Sequence, residues 1–120
     1  MSMIEATIKM KAVPEKRTEL LQTLRSMNKE IRKEKGCMSC YFYQDVENQN
    51  IFSFIEEWKT QETLDSHLKS DMFGALMGAK SLLVEPAEIN IKAVSYTAGM
   101  EAVKKVREES RGLDENEGKE

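Results

Sequence analysis

From Met3 to Ala12 the chain alternates, with Ile4, Ala6, Ile8, Met10 and Ala12 on one side and Met3, Glu5, Thr7, Lys9 and Lys11 on the other. A period of two sends successive side chains to opposite faces, so this is a first strand with one face on a core. Val13-Pro14 ends it, and Pro14 suits the first turn of a helix because its missing N–H would be unpaired there anyway. The period then lengthens: Leu20, Leu21, Leu24, Met27 and Ile31 make one helical apolar stripe, and Lys29, Arg32, Lys33 and Lys35 collect at the negative end of the helix dipole. Gly36 is the expected C-terminal cap. A second strand follows from about Cys37 to Val46, then a polar hairpin loop, Glu47-Asn48-Gln49-Asn50.

The third strand, Ile51 to Trp58, is apolar on both sides: Phe52, Phe54 and Trp58 on one, Ile51 and Ile55 with Glu57 on the other. At Thr60 the spacing turns helical again. Thr60 is a candidate N-cap, and Leu64, His67 and Leu68 share a face at i, i+3 and i+4. Ser70-Asp71 reads as the cap of a further helix that would bury Phe73, Leu76, Met77 and Leu83. Glu85-Pro86-Ala87 breaks the period, and Glu88 to Tyr96 alternates as a fourth strand, Ile89, Ile91 and Ala93 opposing Asn90, Lys92 and Val94.

The order β-α-β-β-α-α-β is that of an α+β, ferredoxin-like fold, in which helices cover one face of a four-stranded antiparallel sheet. Apolar character on both faces of strands two and three would leave a patch on the other side, and a second copy of the sheet is its simplest cover. A homodimer through the sheet faces is therefore expected. The domain takes residues 1–96, and 97–120 form an extension. In it Met100, Val103 and Val106 suggest a short helix over about 99–110, and the polar run from Arg111 reads as a disordered tail.

The length of 120 residues suits one domain, and a net charge of −3 spread along the chain gives no footprint for nucleic acid or an anionic membrane. No apolar run approaches a bilayer's thickness, and the first residues have no signal-peptide pattern, so a cytoplasmic protein is expected. Cys37 and Cys40 form a C-x-x-C within a strand, where a spacing of three sends the side chains to opposite faces; the reading is of structural, reduced cysteines and no metal site. There is no phosphate loop, dinucleotide fingerprint or Ser-His-Asp set.

The run E-E-W-K-T-Q-E-T-L-D-S-H-L-K-S-D-M-F, residues 56–73, resembles the signature of the antibiotic biosynthesis monooxygenase family, small dimeric α/β barrels that include quinol monooxygenases. Lys35-Gly36-Cys37-Met38-Ser39 with Tyr41, Tyr43, Gln44 and Asp45, and later Glu85-Pro86, agree with it in order and spacing, so the resemblance covers residues 3 to 96. It implies oxygenation of a small quinol or polyphenol by dioxygen without metal, flavin or haem, the substrate's own anion reducing the oxygen. A non-catalytic small-molecule binding module and a hydroxyketone or sugar-phosphate isomerase of the same fold are the alternatives.

For that chemistry His67, titrating near neutrality, is the candidate base, against the bland reading of a packed core histidine. Trp58 is a candidate to stack on an aromatic substrate, against core packing alone. Tyr41 and Tyr43 are candidates to bind a ligand or the dimer partner, and Thr7 and Asn90 are weaker pocket candidates. Met72, Phe73 and Met77 complete the expected lining, though methionines are more often adaptable filler. The haem-degrading branch of the superfamily is disfavoured: its iron-binding His corresponds to Met77 here and its strand-one Asn to Thr7.

Overall fold

The computed structural model describes residues 3–117, with side chains through residue 112. The alternating N-terminal segment is β1 (Met3–Lys11), whose buried residues Ile4, Ala6, Ile8 and Met10 all face the helices. Pro14–Lys16 makes a 3-10 turn into α1 (Arg17–Ile31), which buries Leu20, Leu24, Met27 and Ile31, and also Asn28. Next come β2 (Cys37–Gln44), β3 (Ile51–Trp58), α2 (Gln61–Leu68), α3 (Asp71–Gly78), a 3-10 turn (Lys80–Leu82) and β4 (Glu88–Val94). The strands form one sheet in the order β2-β3-β1-β4 with every pair antiparallel, the expected ferredoxin-like arrangement. Among the described residues no helix is long and apolar enough to cross a membrane.

The helix-facing side of β3 is the centre of the core. Phe52, Phe54 and Trp58 are fully buried, each contributing about 1.5 to 3 kcal/mol by leaving water, and Phe42 meets Phe54 edge-on at 5.8 Å. Lys80–Leu83 is tied to the end of β1 by Val13 N–H donating to the Leu82 carbonyl at 2.9 Å and by a bridge pairing Ala12 with Leu83. β4 is the least covered strand: its helix-side residues Ile89 and Ile91 remain exposed.

Four details differ from the sequence reading. First, α1 ends at Ile31, and Gly36 lies in the following turn, not at the cap. It is still the glycine the chain needs, with φ +83 and no room for a Cβ, which would overlap the side chain of Thr63. Second, the register of β2 shifts between Cys37 and Ser39, so Cys37 lies opposite Trp58 and Cys40 opposite Glu56. This bulge corrects the parity argument: both cysteines face the helices, Cys40 buried and Cys37 partly so, as free thiols.

Third, β2 and β4 stop at Gln44 and Val94, two residues short in each case. Fourth, the helix of the extension, α4 (Met100–Glu117), runs through much of the stretch expected to be disordered. Its i,i+3 and i,i+4 mixture of Glu with Lys and Arg supports a helix without burial. Residues 118–120 of the expected tail lie outside the described residues. Met100, Val103 and Val106 are exposed, and α4 contributes to a radius of gyration of 19.6 Å, where a compact chain of this length has about 14 Å.

Candidate active site

Three local features of the sequence converge on His67. Thr60 caps α2, its hydroxyl accepting from Thr63 N–H at 3.1 Å, so that Leu64 and His67 point inward. Ser70 caps α3, accepting from Phe73 N–H at 3.2 Å while donating to the His67 carbonyl at 2.6 Å, which brings the Phe73 ring edge-on to the imidazole at 5.4 Å. The turn through Gly36 is held to the end of β3 by Lys59 N–H donating to the Gly36 carbonyl at 2.8 Å, and it delivers Glu34.

His67 itself is 1 % exposed and stacks on Trp58 with ring centroids 4.8 Å apart. Its Nδ1 is 2.7 Å from Oε2 of Glu34 and its Nε2 is 3.4 Å from Oε1 of Glu56. That same Oε1 accepts from the Trp58 indole N–H at 2.9 Å. The 3.4 Å approach is close enough for charge attraction but lacks hydrogen-bond alignment, so Nε2 and the second oxygen of Glu56, Oε2, are buried without hydrogen-bond partners. Burial on its own would push the imidazole pKa down. The contact and charge of Glu56, then the charge and hydrogen bond of Glu34, outweigh it and leave the pKa above the ordinary 6.5.

An apolar cavity of about 430 Å³ lies elsewhere on the same side of the sheet, walled by Leu76, Met77, Leu83, Val84, Pro86 and Ala87, with Lys80 and Glu85 as its charged members. None of Trp58, Glu56 and His67 lines it. Helix α3 joins the two regions, carrying Phe73 against the imidazole and, one turn on, Leu76 in the cavity wall. Among the described residues, no three His, Cys, Asp or Glu side chains are set to hold a metal ion.

The structure therefore divides the candidates of the sequence reading into groups. Trp58, His67 and Phe73 are brought together, with Met72 packed against the same core; Met77 lines the cavity. Tyr41, Tyr43, Thr7 and Asn90 are on the opposite side of the sheet and line neither region, because strand alternation sends them away from the helices. Three of them form one cross-strand row with Ile55, in the order Tyr41, Ile55, Thr7, Asn90. This open face is less apolar than expected, since Ser39, Ser53, Glu57, Glu5 and Lys9 interrupt it.

Glu56 and Glu34 were missed by the sequence reading. A signal for Glu56 existed: it occupies the buried parity of β3 between Phe54 and Trp58. Glu34 gave none, because its place depends on the turn at Gly36.

The sequence profile described as antibiotic biosynthesis monooxygenase matches residues 3–79. A Synechocystis protein, "Uncharacterized protein sll1783", is 33% identical over 88 residues, covering 72% of this chain and 60% of its own length, so the chain spans three fifths of that relative. The Bacillus subtilis "Putative monooxygenase YcnE" is 31% identical over 90 residues, 74% of this chain and 93% of that protein. Among solved structures, a conserved protein from Methanosarcina mazei superposes with a TM-score of 0.72 at 35% identity, covering 77% of this chain and 92% of that one. Rv0793 from Mycobacterium tuberculosis, 22% identical with a TM-score of 0.75 over 82% of this chain and 100% of that one, shares the fold. With the profile match extending over most of the chain and the matching fold, this chain belongs to the antibiotic biosynthesis monooxygenase family.

Proposed function

We propose that this chain is a cofactor-independent monooxygenase that oxidises a small quinol or polyphenol with dioxygen. The observation that carries the reading is the apolar cavity of about 430 Å³, of a size and polarity suited to a one- or two-ring aromatic. Family membership supplies the reaction class. For a simple hydroquinone the balance needs no other reductant: the substrate gives up four electrons, one oxygen atom enters the ring to give a hydroxyquinone, and the other leaves as water. The protein's tasks are to exclude water, orient the ring and help remove the phenolic proton. Met77, with Leu83 and Pro86, lines the ring site, and the buried cluster around His67, one face of α3 away, manages the proton.

In this reading the molecule is a homodimer joined through the open sheet faces, with Tyr41, Tyr43 and Ile55 at the centre of the contact. It works in the cytoplasm, where the two free thiols stay reduced. The test is oxygen uptake with a panel of hydroquinones in metal-free buffer. Uptake without added flavin, haem or metal is the expected result. No uptake across the panel, together with anaerobic conversion of a hydroxyketone, would replace oxygenation by isomerisation.

A further inference from the structure

A carboxylate sealed from water without a full set of hydrogen bonds is costly and calls for an explanation, a role in chemistry among them. Glu56 is 0 % exposed and one of its oxygens has no partner. Its other oxygen faces the imidazole of His67, whose far nitrogen meets Glu34, and the Glu34 side chain is 25 % exposed. The three groups thus connect a partly exposed carboxylate to a buried one, each imidazole nitrogen addressing one of them.

We propose that Glu34, His67 and Glu56 act as one proton relay between solvent and the core, with Glu56 as its inner terminus. A proton arriving on the Glu56 carboxylate passes to Nε2 of His67 when the 3.4 Å approach tightens to a hydrogen bond, the proton on Nδ1 passes to the Glu34 carboxylate at 2.7 Å, and Glu34 releases it to water. The imidazole is regained after its tautomer resets. Each proton that enters at Glu56 is matched by one that leaves at Glu34, and no electrons move. That the arriving proton is the one a hydroquinone loses on becoming a phenolate rests on the monooxygenase reading; the relay itself does not.

The neighbouring ionisable groups leave the route clear. Burial first, and then the charge of Glu56, push the thiols of Cys37 and Cys40 up to about 11 and about 12, so both stay protonated and do not compete. Trp58, on the imidazole face and bonded to Glu56, donates but cannot accept. Phe73, edge-on to the imidazole, carries no proton to exchange.

The test uses the full chain with ring-labelled histidine, His67 being its one histidine, and reads imidazole N–H exchange with water by NMR. The relay predicts that Nδ1, beside partly exposed Glu34, exchanges faster than the local opening seen at the α2 backbone amides. Exchange no faster than that opening in the native protein would overturn it without any variant. In Glu34→Gln, which still accepts the Nδ1 hydrogen bond but cannot carry a proton, exchange should fall to the rate of local opening seen at the α2 backbone amides. Glu34→Asp should restore it, and exchange at the native rate in Glu34→Gln would remove Glu34 from the route. The functional arm is kcat with hydroquinone: Glu56→Gln should lower it by roughly 10²-fold with KM little changed, and an unchanged kcat would confine the relay to proton exchange. If the native protein takes up no oxygen, the monooxygenase reading fails while the exchange rates still decide the relay.

Discussion

Removing His67 should cost more stability than an ordinary core truncation. An imidazole that only filled space between Trp58 and Phe73 would cost about 1 to 3 kcal/mol when cut to alanine, through a cavity or one lost hydrogen bond. Here the ring also separates two carboxylates at 2.7 and 3.4 Å, and Glu56 is sealed from water. His67→Ala strands that charge, and breaking a buried pair from one side costs about 3 to 5 kcal/mol, a large part of a domain's total of roughly 5 to 15 kcal/mol. Glu56→Gln keeps the acceptor for the Trp58 indole and loses only the charge, so its cost should be about 1 to 3 kcal/mol. Once the glutamine is present, His67→Ala strands nothing, and the double variant should be more stable than the sum of single costs predicts by about 0.5 to 3 kcal/mol. Urea unfolding followed through Trp58, the chain's only tryptophan, measures all four corners of the cycle. Additive costs, or a His67→Ala loss below about 1 kcal/mol, would show that Glu56 and His67 are neighbours without coupling.

Other expectations concern pH, the Gly36 turn and the thiols. Because the folded pKa of His67 is raised, its contribution to stability is complete below about pH 6.5 and is lost as pH rises through the folded value, each tenfold gain in proton affinity on folding being worth about 1.4 kcal/mol. Unfolding free energies measured from about pH 6 to pH 9 should therefore fall in the native protein, and this limb should be absent in His67→Ala. Gly36→Ala should cost about 2 to 4 kcal/mol by calorimetry, from a left-handed φ and a displaced Thr63 that loosens the α2 cap; a neutral substitution would contradict the close approach. Native Cys37 and Cys40, held at about 11 and about 12, should resist iodoacetamide at pH 8 and react once unfolded, whereas rapid labelling of the folded chain would disprove their burial as thiols.

The fold was legible because its strands and helices obey different periods. The alternation from Ile4 to Ala12 names five residues for the core and all five are buried, and Leu64 and His67 turn inward as their spacing requires. What escaped came from single-residue departures. One bulge after Cys37 turned an odd spacing into a shared face, which no parity count can foresee. Asn28 lies on the buried stripe of α1 where residue type argues for solvent.

Of the cluster around His67, the meeting of Trp58, His67 and Phe73 was legible, because adjoining elements hold them together, and that of Glu34 was not, because a turn supplies it across 33 residues of chain. Tyr41 and Asn90 look like pocket residues by chemistry, yet alternation alone decides their side of the sheet. The end of α4 shows the opposite limit: polarity argued against a core and so for disorder, but a helix rich in Glu, Lys and Arg does not require a core to form.

The reaction class is tested most directly by supplying isotopically labelled dioxygen to the metal-free protein with a hydroquinone and weighing the product. Oxygenation by this chain predicts one labelled atom in each hydroxyquinone and the other in water. It also predicts loss of that product in Ala87→Trp, which fills the cavity beside Pro86 while leaving the His67 cluster in place. An unlabelled quinone formed at the rate of a protein-free control would contradict the account.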